Sequence, residues 1–151
     1  MAHPPRIYLD ACALNRLSDP PMQQRIALEA AAMERLMQGM RTGRLYWIAS
    51  SALVVEIENN PDELRRSSAL SLLCFASEIH RPSAVSAARG QQLNLLGYGK
   101  FDALHLAMAE EHNCDLLLTT DDRFLRSALR NLGNPSVRIE NPLNYLKEVR
   151  P

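Results

Sequence analysis

Three consecutive leucines, Leu116, Leu117 and Leu118, stand between Asp115 and the polar run Thr119-Thr120-Asp121-Asp122. A short, solidly apolar segment of this kind is the mark of a strand buried on both faces, the situation of a parallel sheet covered by helices. Residues 6–9 repeat the theme, with Ile7, Tyr8 and Leu9 ending at Asp10, and Leu45-Tyr46-Trp47-Ile48 is rich in β-formers. Residues 78–82 and 137–139 supply two shorter strand candidates. Helical segments separate these runs. Strands that alternate with helices imply a parallel sheet with right-handed crossovers and helices on both faces. In such folds ligands bind beyond the carboxyl ends of the strands.

The intervening segments support that reading. After Pro20 and Pro21, Ile26, Ala30, Met33, Leu36, Met37 and Met40 recur at spacings of three and four, and Gly43 closes the helix. Ser50 or Ser51 caps a helix that carries Leu53, Val54, Ile57 and the acids Glu56 and Glu58. Asn59-Asn60-Pro61-Asp62 breaks it and opens another that runs to about residue 76. Helices are predicted over 83–96, 103–112, 122–132 and 142–149, with a turn at Gly97-Tyr98-Gly99-Lys100 that delivers Asp102 to a helix start.

With 151 residues, 46% hydrophobic and 23% charged, the chain reads as one globular domain over 1–151, not a disordered or low-complexity protein. No apolar run approaches the roughly 20 residues of a membrane span, and the start Met-Ala-His-Pro-Pro-Arg is no secretory signal. Cys12, Cys74 and Cys114 form no CxxC, which fits a reduced cytoplasmic setting. The 17 basic and 17 acidic side chains balance, so the protein is no general polycation, although a local basic rim remains open to it.

Four acids fall just past predicted strand ends or in the first turns of helices beyond them: Asp10, Glu56, Asp102 and Asp121. Taken singly, each reads as a turn former, a helix cap or a solvated helix residue. Converging without cations they would repel and raise one another's pKa. A divalent ion completes such an arrangement, and an all-oxygen set suits Mg²⁺ or Mn²⁺ rather than Zn²⁺.

In their order, Ile7-Tyr8-Leu9-Asp10, Ser50-Ser51-Ala52-Leu53-Val54-Val55-Glu56, Asp102-Ala103-Leu104-His105-Leu106-Ala107 and Leu117-Leu118-Thr119-Thr120-Asp121-Asp122-Arg123-Phe124 resemble the PIN-domain family of metal-dependent ribonucleases. The small toxins of bacterial toxin–antitoxin pairs (VapC-like) are the nearest in kind. The resemblance implies an α/β/α sandwich with a central parallel sheet, one or two Mg²⁺ or Mn²⁺ ions, and hydrolysis of RNA by metal-activated water. It also implies a cognate antitoxin laid over the acidic groove, and a homodimer. Asp10, Asp102 and Asp121 then become the carboxylates around the metal, and Glu56 ligates through water or positions the nucleophile. Thr120 and Asn15 are candidates to orient those carboxylates, and Arg16, Lys100 and Arg123 to meet phosphates.

Many relatives carry Thr or Ser directly after the first Asp, where this chain has Ala11. Asp122 is read as the cap of the helix that starts there, Tyr98 as a turn tyrosine packed on the surface, His105 as a packed helix histidine and Cys12 as an inert thiol. Two rival folds gather acids at a parallel sheet. A receiver domain lacks its acidic pair here, and a haloacid-type phosphatase lacks its Asp-x-Asp at Asp10-Ala11-Cys12. A PIN-like module that binds RNA or protein without cleaving stands as the alternative function.

Overall fold

The computed structural model describes residues 3–149. Its sheet has five strands, β1 (Arg6–Leu9), β2 (Tyr46–Ser50), β3 (Glu78–His80), β4 (Leu116–Leu118) and β5 (Arg138–Glu140), in the order β3-β2-β1-β4-β5. Every pairing is parallel. The register sets Tyr8 beside Ile48 on one side and beside Leu117 on the other.

Strand alternation sends successive side chains to opposite faces, and two hydrophobic layers result. Ile7, Leu9, Trp47, Ala49, Leu116 and Leu118 pack with α1 (Ala11–Asn15), α2 (Gln24–Arg41), α3 (Ser51–Glu58), α4 (Glu63–Leu72) and α8 (Pro142–Glu148). Tyr8, Ile48 and Leu117 pack on the other face with α5 (Ala84–Leu96), α6 (Lys100–Glu111) and α7 (Asp122–Leu129). The result is the expected α/β/α sandwich around a parallel sheet. The three leucines of β4 are buried on both faces, as their unbroken apolar run requires.

The predicted elements differ from the observed ones mainly at their ends. α2 begins at Gln24, so Pro20 and Pro21 lie outside it and not in its first turn. α6 begins at Lys100, three residues before its predicted start, which places Asp102 inside its first turn. α5 stops at Gly97, whose φ of +126° is open to glycine and strained for other residues. α1 was not anticipated: its five residues follow directly on Asp10, whose side chain caps it.

The strand order reverses between β1 and β4. Chain connections leave toward β2 and β3 on one side and toward β5 on the other, so the carboxyl ends of β1 and β4 frame an open crevice. Asp10 follows one of these strands, and Thr119, Thr120 and Asp121 follow the other.

Candidate active site

Asp10 is 1% exposed. One carboxylate oxygen, Oδ1, accepts the Ala13 amide at 2.9 Å, which satisfies an orphan donor of α1, and Oδ2 accepts the hydroxyl of Thr119. The same Thr119 oxygen accepts the Asp121 amide at 3.1 Å. One threonine therefore couples the ends of β1 and β4. Thr119, rather than the expected Thr120 or Asn15, orients the acid. Thr120 is buried and its carbonyl accepts from Arg25, and Asn15 offers its own carbonyl to Ser18. Thr119 also supplies the hydroxyl that Ala11 lacks.

Burial pushes the Asp10 carboxyl up to about 6, even against the downward pull of its two hydrogen bonds. Burial, followed by the charges of Asp10 and Asp121, pushes Asp102 up to about 7. Asp102 accepts no hydrogen bond from any described residue and shares a cleft of about 130 Å³ with Tyr98, Gly99, Asp121 and Arg123. Glu56, on α3, also bears on the Asp102 charge. Asp102 and Asp121 thus line the cleft, and Asp10 and Glu56 lie near enough for their charges to act on Asp102. Among the described residues, however, no three His, Cys, Asp or Glu side chains stand close enough to enclose one ion. The donor chemistry still fits a hard divalent cation: oxygen donors only, two of them carrying charge that burial disfavours, and no Lys or Arg among the described residues paired with Asp10, Asp102 or Asp121.

The cap of α7 is Asp121, which accepts the Arg123 amide at 2.9 Å, and not Asp122 as expected. Asp122 instead takes a two-pronged ion pair from Arg25, at 2.8 and 2.7 Å, which holds its carboxyl below the usual range. Arg16, expected near phosphate, binds Glu29 and Asp19 at 2.8 and 2.7 Å. Arg123 is exposed and lines the cleft, Lys100 is exposed at the start of α6 beside the lining residue Gly99, and neither has an acidic partner among the described residues. Tyr98 is buried, not a surface ring: its hydroxyl donates to the Leu132 carbonyl at 2.9 Å and its ring meets Phe124 edge-on. Burial, with the four acids nearby, pushes the Cys12 thiol far above its ordinary range, so it stays protonated and inert.

His105, read from the sequence as a packed helix histidine, is buried as expected and also belongs to a second polar group whose partners the sequence does not show. His105, fully buried on α6, sits 2.8 Å from Glu56 through Nε2 and 2.6 Å from the Tyr8 hydroxyl through Nδ1. Tyr8 in turn lies 2.6 Å from Ser50 Oγ. The spacing holds a clue, since Asp102 and His105 are three apart on one helix face.

An open α/β domain with buried, cation-poor carboxylates at its switch point is the class that this geometry defines. The sequence model of the PIN domain matches residues 7–129, and the chain belongs to that family. Among solved structures it is similar to VapBC2 from Rickettsia felis bound to a DNA fragment from their promoter. The TM-score is 0.56 at 18% identity, over 89% of this chain and 98% of that one. No curated protein matches the sequence.

Proposed function

We propose that the protein is a Mg²⁺- or Mn²⁺-dependent endoribonuclease acting as the toxin of a toxin–antitoxin pair. The observation that carries this reading is the pair Asp10, buried, and Asp102, half-buried, the charge of the first raising the proton affinity of the second, with no basic side chain among the described residues bound to either. A protein that keeps such a pair at the mouth of its sheet keeps it for a cation. Asp10, Asp102, Asp121 and Glu56 are the residues that would hold the ion. When bound, it supplies positive charge against the scissile phosphate and acidifies a water for attack.

The chain's own groups do the rest. Thr119 and the Ala13 amide fix the Asp10 carboxylate in one orientation. The Arg123 amide does the same for Asp121. Arg123 at the cleft and Lys100 beside Gly99, without acidic partners among the described residues, are offered to the RNA backbone. The PIN family and the likeness to VapBC2 support an antitoxin partner in this reading, and a cytoplasmic homodimer is part of it. No described helix is long and apolar enough to cross a membrane. The open spacing of the acids is the observation behind the alternative, a PIN fold that binds RNA or protein without cleaving.

The experiment is cleavage of a mixed RNA pool with Mg²⁺ or Mn²⁺, wild type beside Asp10→Asn. Metal-dependent cleavage that the substitution removes supports the proposal. Cleavage that survives chelation, or an equally active variant, contradicts it.

A further inference from the structure

Four polar side chains from four elements form one hydrogen-bonded file: Ser50 at the end of β2, Tyr8 in β1, His105 in α6 and Glu56 in α3. Ser50, Tyr8 and His105 are completely shielded from solvent, and Glu56 stands at the rim with about a quarter of its side chain exposed, 26%. The direction of the file follows from its ends. Ser50 Oγ already accepts the Leu53 amide at 3.2 Å as the cap of α3, so its own proton is free to point at Tyr8. The neutral Tyr8 phenol, accepting there, donates to His105 Nδ1. Nε2 is then the nitrogen that carries hydrogen, and it donates to Oε1 of Glu56. The opposite tautomer would set a nitrogen lone pair against a carboxylate oxygen at 2.8 Å.

The members of the file are not scattered. Tyr8 lies in β1, which ends one residue before Asp10, His105 shares its helix with Asp102 and follows it by three, and Glu56 is itself one of the acids. The file is a strut between three acid-bearing elements, running through the buried layer where no water competes for its bonds.

We propose that His105 is a positioning residue: its Nε2–H, aimed by Tyr8 and Ser50, clamps Oε1 of Glu56 and leaves Oε2 as the oxygen free to act beside the other acids. The role assigned to Glu56 rests on the nuclease reading; the direction of the hydrogen bonds does not.

Long-range ¹H–¹⁵N spectra of the metal-free wild-type protein read that direction without any activity. His105 is expected to carry hydrogen on Nε2, with a resonance that moves in Glu56→Gln. In cleavage assays with Mn²⁺, His105→Gln is expected to lower kcat by about 10- to 100-fold, the usual effect of losing a group that orients a ligand. KM stays within about twofold, and in a Glu56→Gln background the further loss shrinks below about twofold, because the two act as one unit. Tyr8→Phe keeps the ring and removes only the hydroxyl. It is the second variant should His105→Gln fold poorly, with a loss of about three- to tenfold that also vanishes in Glu56→Gln. An Nδ1–H tautomer, or losses that multiply undiminished in the Glu56→Gln background, overturns the positioning role. A wild-type protein that binds no Mn²⁺ and cleaves no RNA overturns the nuclease reading and the role of Glu56 with it, while the spectrum still reports which nitrogen holds the hydrogen.

Discussion

Two carboxylates in this protein are equally hidden and differently treated. Glu29 on α2 and Asp10 after β1 are each 1% exposed. Glu29 receives Arg16 at 2.8 Å, Arg25 at 3.3 Å and the Asn141 side-chain amide at 2.6 Å. Its charge is matched twice over, and the contacts bind α1, α2 and the cap of α8 into one unit. Among the described residues Asp10 receives a hydroxyl and a backbone amide, and no cation. The fold can neutralise a buried acid, and does so for Glu29; at Asp10 the same chain leaves the charge open. The first arrangement is complete in itself, and the second is complete only with something added.

The largest expected effect separates the two by activity. Asp10→Asn should lower metal-dependent RNA cleavage by about a thousandfold or more, since it removes several kcal/mol of charge complementarity from the site. Its thermal stability without metal should hold or rise, because a disfavoured buried charge is gone. Glu29→Gln should do the reverse. Two arginines lose their shared partner, and stability should fall by about 3 kcal/mol in a urea titration, with cleavage per folded molecule unchanged.

A smaller effect follows from pH. The folded protein binds protons at Asp10 and Asp102 more tightly than the unfolded chain does. Their contribution to stability is therefore full below pH 4 and is lost as pH rises through about 6 and 7. For Asp10 the loss is on the order of 2–3 kcal/mol, and Asp10→Asn should flatten that part of the profile. Mg²⁺ should restore stability at pH 8 and do little at pH 5, where protons occupy the same oxygens. A metal effect equal at both pH values would remove these acids from the binding site.

The smallest effect concerns the rim. Arg123→Ala should weaken RNA binding about evenly across sequences and reduce the salt slope by about one, because a phosphate contact is lost. Arg16→Ala should leave the salt slope unchanged and appear instead as lost stability, since its guanidinium already serves Glu29 and Asp19.

The parts of this account that were legible in the sequence are those fixed by local pattern. Leu116, Leu117 and Leu118 announced a strand covered on both faces, and the acids at strand ends located the crevice. What failed to show depends on single-residue geometry or on distant partners. Whether Asp121 or Asp122 caps α7, and whether Thr119 or Thr120 reaches Asp10, turns on one step of strand alternation at the end of β4. α1 is five residues long, too short for periodicity to declare it. Arg16 lies six residues past Asp10 and reads as a phosphate ligand until the fold brings Glu29 against it. His105 shows its partner only when α6 is laid across α3 and β1.

Whether Asp10 and Asp102 await a cation is decided by calorimetric titration of Mg²⁺ and Mn²⁺ into wild-type protein and Asp102→Asn. Saturable binding to the wild type is expected, with proton release near pH 6, and its loss in the variant. Absence of binding at millimolar metal, or equal binding by both proteins, would contradict a cation site at these acids.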